Sequence, residues 1–121
     1  MTHIYTGDDS RSHFREIDVR LSPLETAAIS ARFSATGIQF RHRLPQYSGK
    51  RVNAPCRQFV VILYGNVELE LADGVTRTFD RGDAGFIEDT FGEGHISKVL
   101  YETVQLDIPV GPGFHIEDLL V

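Results

Sequence analysis

The sequence has little that would tie the chain to a membrane or to a disulfide scaffold. It contains one cysteine, Cys56, and no tryptophan, so no disulfide can form within the chain, as suits a reducing compartment. Its longest unbroken apolar run, residues 59–64, is far shorter than the roughly 20 residues of a membrane-spanning helix. Residues 1–8 show neither a basic start nor an apolar stretch, so we expect no signal peptide, no membrane contact and a cytoplasmic location.

Charge of both signs is present but unevenly distributed. The net charge is −5, yet residues 41–57 contain cations and no acid, whereas residues 66–121 are strongly acidic. An acidic chain with one basic stretch is a poor general binder of nucleic acid, so we expect no nucleic-acid partner. The basic stretch suits a small anion, or an acidic patch on a second copy of the chain.

Length and hydrophobic pattern indicate one all-β domain over residues 1–121. A chain of 121 residues, 41% of them hydrophobic, can bury one core but not two. Asp73-Gly74 is a strong hairpin signal. Apolar residues alternate with polar ones, or form β-branched runs, in seven short segments: residues 38–43, 58–64, 67–71, 75–79, 85–88, 95–100 and 103–108. Short strands joined by glycine-rich turns predict a sandwich or a barrel.

One segment favours a helix. Ser22-Pro-Leu-Glu25 has the form of a capping box with proline at the first helical position, which predicts at most a short helix near residues 23–32.

The strand over residues 58–64 is apolar on both faces, as is typical of a strand that is covered on both sides. The core of a small barrel covers only the inner face. The outer face then needs the N-terminal segment or another subunit, which favours a homodimer.

From residue 57 to residue 95 the chain resembles the cupin superfamily, and most closely its small single-domain cupin-2 type. The first cupin motif has two histidines around one residue, then a glutamate, and then a glycine seven residues later; here Gly65 is that glycine and Gln58 stands at the glutamate position. Gly82, Gly92 and His95 fit the second motif. The resemblance covers about residues 36–108, between an N-terminal segment (1–35) and a C-terminal tail (109–121), and implies an all-β double-stranded β-helix, the jelly-roll barrel.

The metal-binding part of the cupin motif is degenerate in this chain. The two histidine positions fall within residues 51–54, which contain no histidine, so His95 is the only retained ligand position. A divalent site needs three or four good ligands, and Arg51 and Arg57 would repel a dication. We therefore expect no cofactor, unless His42 on the neighbouring strand completes a rearranged site.

The polar residues expected at the barrel mouth are the candidate site. His95, Gln58 and His42 are candidates for catalysis, since a partly buried imidazole suits proton transfer near neutral pH. Asp89 and Glu93 flank the loop over the expected pocket and could pair with an arginine or act as a base. The candidates for substrate binding are Arg41, Arg51, Arg57, Phe40, Asn53, Val60 and Ile62, because arginine can hold a carboxylate or phosphate in two hydrogen bonds. Alternation leaves open whether Phe40 and His42, or Arg41 and Arg43, point inward.

These residues predict a metal-independent enzyme of isomerase, cyclase or dehydratase type, acting on a small carbonyl-containing or anionic metabolite. Cupins similar to this chain occur in such roles. Two alternatives remain at this point: a cupin that binds a small molecule without turning it over, and a metallo-cupin with dioxygenase or lyase chemistry at a rearranged site.

Overall fold

The computed structural model describes all residues, Met1–Val121, and is built almost entirely of β-strands. The strands are β1 (Thr2–Thr6), β2 (Ser12–Glu16), β3 (Ser22–Pro23), β4 (Ala28–Ile29), β5 (Gln39–Arg43), β6 (Gln46–Val52), β7 (Gln58–Tyr64), β8 (Asn66–Glu70), β9 (Thr76–Asp80), β10 (Ala84–Ile87), β11 (His95–Val99) and β12 (Thr103–Pro109). A single 3-10 turn, Ile116–Leu119, follows them. The prediction of an all-β chain is confirmed. None of its helical segments has the length and apolar character of a membrane span.

The strands form two main sheets that pack as a sandwich. The larger sheet has six strands in the order β2-β1-β10-β7-β12-β5, and the smaller has four in the order β6-β11-β8-β9. All pairings in these sheets are antiparallel except the parallel pair β1–β10. The two sheets are not hydrogen-bonded to each other, so the sandwich is open rather than closed into a barrel.

The hairpin predicted at Asp73-Gly74 joins β8 and β9. Its loop closes where the Gly74 N–H donates to Leu71 O at 3.0 Å and the Leu71 N–H donates to Val75 O at 2.9 Å. Gly74 has a φ of 86°, a left-handed conformation that glycine adopts without strain. The Asp73 carboxylate accepts a hydrogen bond from the Val75 N–H at 3.0 Å, which explains why this residue pair ends one strand and starts the next.

The main core lies between the two sheets. Side chains on a strand alternate between its two faces, so alternate residues along each strand point into this layer. Its buried members come from β1, β7, β8, β9 and β11: Ile4, Val60, Ile62, Val67, Leu69, Phe79 and Val99.

A second core covers the outer face of the six-stranded sheet. Phe59 on β7 and Phe86 on β10 pack against each other there, with ring centroids 4.7 Å apart and ring planes tilted by 45°. The chain's own ends cover them, since the cluster is completed by Ile17, Val110, Ile116 and Leu119. The outer face of β7 is therefore covered by the N- and C-terminal segments at the beginning of the strand. Near the end of the strand, Leu63 on the same face is exposed.

The helix predicted near residues 23–32 is wrong. The chain forms the small hairpin β3–β4 there, closed by a hydrogen bond from the Leu24 N–H to Ala27 O at 2.6 Å. A capping box satisfies only the first N–H groups of a helix, and a helix this short needs an apolar face packed on a core. Residues 21–29 are exposed throughout, and Leu24 itself is 56% exposed, so nothing in the fold stabilises a helix.

Candidate functional site

A cavity of about 130 Å³ lies between the two sheets. Its floor is the main core, with Val60, Ile62, Val67, Leu69 and Phe79 among the lining side chains. Its polar lining consists of Arg41, Arg43, Asn53, Gln58, His95, Ser97 and Gln105. An apolar floor with a few convergent polar groups is the usual form of a small-molecule site.

A buried chain of hydrogen bonds holds His95 at the wall of this cavity. His95 Nδ1 lies 2.6 Å from Asp89 Oδ2, and Ser12 Oγ donates to the same oxygen at 2.6 Å. Asp89 is fully buried, and its other oxygen has no partner. Since the carboxylate holds the proton of His95 on Nδ1, Nε2 is left as the basic nitrogen for the cavity, the arrangement found in acid/base catalysis.

Local sequence explains why Asp89 and His95 meet. Asp89 follows β10 and His95 begins β11, and the loop between them turns at Gly92 and Gly94, which have φ values of 85° and 74°. The loop is fixed to the preceding β6–β7 connection, because Asp89 O accepts hydrogen bonds from the Ala54 N–H at 3.1 Å and from Asn53 Nδ2 at 3.3 Å. Asn53 therefore lines the cavity and also positions Asp89.

The inward face of β5 carries two arginines with different partners. Arg41 Nε lies 2.9 Å from Oδ2 of the buried Asp107, an ion pair by distance and charge that lacks the angle of a hydrogen bond. Arg43 contacts neutral groups only, donating to Ser97 Oγ at 2.9 Å and to Gln105 Oε1 at 3.4 Å. Burial, and then the charge of Arg41, lower the pKa of the Arg43 guanidinium, against the opposing effect of Asp107.

Six of the ten residues predicted for the site line the cavity: His95, Gln58, Asn53, Arg41, Val60 and Ile62. The Gln58 side chain is buried, and its Oε1 accepts a weak hydrogen bond from Cys56 Sγ at 3.4 Å. Its amide N–H groups are then the free donors. The structure thus brings together a base, an amide donor and an arginine.

Phe40 and His42 lie on the opposite face of β5, outside the cavity. Phe40 is 71% exposed, and His42, 52% exposed, pairs with Glu102 at 2.5 Å. Because Arg41 and Arg43 face inward, alternation places these two side chains outward. Neither Phe40 nor His42 is retained as a site residue, and His42 cannot replace a lost metal ligand.

Arg51 and Arg57 are also outside the cavity lining. Arg51 is exposed on the edge strand β6, 3.9 Å from Glu93. Arg57 lies on the outer face of the large sheet, where it donates to Phe114 O at 2.7 Å and to Gly111 O at 3.2 Å. Its role is to fasten the C-terminal tail, so neither arginine is retained for substrate binding.

Arg57 belongs to a polar network on that outer face, centred on Glu88. The Glu88 carboxylate lies 3.3 Å from Arg57 Nη2 and 3.1 Å from Nε2 of the buried His3. Burial by itself raises the pKa of Glu88, but the hydrogen bond and charge of His3, together with Arg57, outweigh it. The pKa therefore lies below the usual 4.5.

Four residues of the site were not predicted. Ser12 lies 77 positions from Asp89 along the chain, and no local pattern marks it. Arg43 had a signal, because it alternates with Arg41 and must share its face. Ser97 and Gln105 likewise follow His95 and Thr103 by two positions on their strands, but the polarity of both is ordinary for a surface strand.

The cavity's donor set does not fit a divalent metal. It offers one imidazole whose Nδ1 is bonded to Asp89, and three neutral carboxamides, beside two guanidinium groups. No group of three His, Cys, Asp or Glu side chains is placed to hold a metal ion. A dication needs three or four such ligands and is repelled by nearby cations.

Comparison with known proteins found no relative: the chain matches no protein-family model and no curated protein. The cupin resemblance therefore rests on the motif residues and on the all-β fold alone.

Proposed function

We propose that the chain is a metal-independent enzyme of isomerase, cyclase or dehydratase type that moves a proton on a small carbonyl-containing or anionic metabolite. The observation that carries this proposal is the buried Ser12–Asp89–His95 chain at the wall of a cavity that also presents guanidinium and amide groups. Only Nδ1 of this buried histidine has a protein partner, which leaves Nε2 free to exchange a proton with a ligand.

The chemistry follows from the positions of these groups. His95 Nε2 takes a proton from a carbon next to a carbonyl, and the electron pair of the broken C–H bond moves onto the carbonyl oxygen. The amide N–H of Gln58 donates to that oxygen as its charge develops. Asp89 offsets the charge of the imidazolium that forms. Return of the proton to another carbon gives an isomer, and loss of a neighbouring hydroxyl as water, with the proton supplied by His95, gives dehydration. Cyclisation follows when the carbanion attacks a second carbonyl of the same molecule, whose oxygen takes the electron pair and then the proton from His95.

For the fold, we propose a cupin jelly roll that has lost its metal set. Two sheets with the second-motif histidine, His95, at an inter-sheet cavity and Gln58 on β7 beside it support this proposal. The open edges between the sheets are the point at which the chain departs from a closed barrel.

Deuterium exchange tests the proposed reaction without knowledge of the product. The protein is incubated in D2O with a panel of small carbonyl acids, ketones and aldehydes, and the loss of C–H signals is followed by NMR. We expect exchange on at least one compound, a drop of about 100-fold or more in His95→Ala, and wild-type rates in His42→Ala, the matched control outside the cavity. EDTA should change nothing. Tight binding of panel compounds with no exchange on any of them would refute the enzyme and leave a binding protein.

We also propose that two copies pair through the outer face of β5 and the segment before it. Large apolar side chains are exposed there in close succession: Leu21, Leu24, Ile29, Ile38, Phe40 and Leu44. A cluster of exposed apolar side chains favours an interaction site, and a two-fold pair is the commonest way for one chain to cover it. Light scattering after size exclusion should give a dimer for the wild type and for Phe91→Asp, an exposed control, but a monomer for Phe40→Asp. A monomeric wild type would contradict this proposal.

A further inference from the structure

Arg43 has no carboxylate within ion-pair distance; its hydrogen-bond partners are Ser97 and Gln105. The neighbouring Arg41 pairs with the buried carboxylate of Asp107 at 2.9 Å, so its charge is balanced inside the protein. Arg43 is held by a hydroxyl and an amide oxygen, which carry no charge. Removing a cation from water without an opposite charge is costly, and a bound anion would restore the balance.

The surroundings of Arg43 leave its guanidinium oriented for such an anion. Ser97 Oγ accepts a hydrogen bond from Nη2 of Arg43, and Gln105 Oε1 accepts one from Nη1. Gln105 is itself held in place, because its Nε2 donates to Asp107 Oδ1 at 2.7 Å. A guanidinium held in this way loses little entropy when a planar carboxylate binds it with two hydrogen bonds.

The size and charge of the cavity limit the anion further. A cavity of about 130 Å³ is close to the roughly 150 Å³ that holds one benzene molecule, so a ligand places about six non-hydrogen atoms inside. Because Asp107 pairs with Arg41, Arg43 is the one guanidinium of the cavity lining that has no carboxylate within ion-pair distance. A single carboxylate finds a partner there, whereas the second negative charge of a dicarboxylate or a phosphate dianion would have none.

The distance between the anchor and the base defines the reacting carbon. His95 and Ser97 lie two residues apart on β11 and line the same cavity, so their backbones are about 7 Å apart. A carboxylate on Arg43, beside Ser97, then brings a carbon one or two bonds away from it towards His95 Nε2.

From these observations we infer that the ligand is a short monocarboxylate, a 2-oxo or 3-oxo acid of about six non-hydrogen atoms, whose carboxylate binds Arg43. This inference rests on the proposed function for the role of the oxo group, but the carboxylate anchor stands or falls by binding alone.

Titration calorimetry with inert probes tests the anchor separately from turnover. Butyrate should bind the wild type, while butyramide, of the same shape but uncharged, and succinate, with a second charge, should each bind at least about tenfold more weakly. Arg43→Gln should lose at least about tenfold for butyrate, with the exposed Arg81→Gln as the matched control at wild-type affinity. Far-UV circular dichroism checks that each variant is folded.

A second variant tests the charge balance even if Arg43→Gln fails to fold. Asp107→Asn removes the carboxylate that neutralises Arg41, so succinate should gain affinity relative to butyrate. Equal binding of butyrate and butyramide, or no change in the succinate-to-butyrate ratio in Asp107→Asn, would overturn the inference. Butyrate binding through Arg43 without any deuterium exchange supports the anchor while it removes the proposed enzyme, so the two failures are distinct.

Discussion

Replacing the turn glycine Gly65 with alanine should lower the free energy of unfolding far more than the same replacement at Gly74. Gly65, between β7 and β8, has a φ of 80°, and Gly74, in the β8–β9 hairpin, has a φ of 86°. An alanine at either position is forced into the left-handed region, which costs about 1–2 kcal/mol. The two sites differ in their surroundings: a Cβ at Gly74 meets nothing within 4 Å, whereas one at Gly65 lies 2.5 Å from Glu102 O and 2.8 Å from Thr103 Cα.

The extra cost at Gly65 comes from what must move. Thr103 is fully buried. Its hydroxyl oxygen accepts from the Asn66 N–H at 3.1 Å, and its one proton is donated to the carbonyl oxygens of Asn66 at 3.0 Å and Tyr101 at 2.9 Å, which share it. Displacing this residue leaves one or two buried polar groups unpaired, at about 1–3 kcal/mol each. We therefore expect Gly65→Ala to lower the free energy of unfolding by about 2–8 kcal/mol, and Gly74→Ala by about 1–2 kcal/mol.

Urea denaturation gives both values. The chain has no tryptophan and four tyrosines, so unfolding is followed by far-UV circular dichroism together with tyrosine fluorescence. A difference of less than about 1 kcal/mol between the two variants would refute the reasoning, because the left-handed strain is common to both sites. It would mean that β12 can shift away from Gly65 without loss of the Thr103 hydrogen bonds.

Three further outcomes follow from burial, hydrogen bonding and charge. Phe86→Ala should cost about 3–5 kcal/mol in urea unfolding because Phe86 is fully buried, and Phe91→Ala, an exposed control, should stay within about 0.5 kcal/mol of the wild type. Ser12→Ala should cost about 1–3 kcal/mol in the same assay, since it removes a donor from the buried Asp89 carboxylate. Because the pKa of Glu88 is lower in the folded chain than its usual 4.5, its contribution is present above that value and lost as pH falls through the folded pKa. The stability advantage of the wild type over Glu88→Gln should thus shrink between pH 5 and pH 3; a gap of constant size would contradict it.

The fold could be predicted where the sequence alternates. The segments predicted over residues 58–64 and 67–71 form β7 and β8 with ends within a residue of those expected, because one or both faces of these strands are buried and apolar. The polar strand β6 has no such pattern: it is exposed along its whole length and is fixed by backbone pairing to β11. Pairing of that kind depends on the partner strand rather than on the segment's own composition.

Part of the site could be predicted from sequence motifs. His95 and Gln58 stand at motif positions, and both line the cavity. Ser12 meets Asp89 only through the pairing of β1 with both β2 and β10, a contact that depends on the whole sheet. Alternation alone could not give the inward face of β5: Ile38 and Phe40 make one face the more apolar, yet both are exposed, and the pairing with β12 places Arg41 and Arg43 inward.

The order of strands in the large sheet has a consequence for synthesis of the chain. β1 ends at Thr6 but its parallel partner β10 begins at Ala84, so at roughly 5–20 residues per second a ribosome takes about 4–16 s to supply that partner. β12, which lies between β7 and β5, is made later still. Until Thr103 and the residues after it emerge, the apolar strand β7 presents an unpaired edge, the kind of edge that recruits other chains. Nascent and truncated chains should therefore depend on chaperones to a degree that the finished sandwich does not.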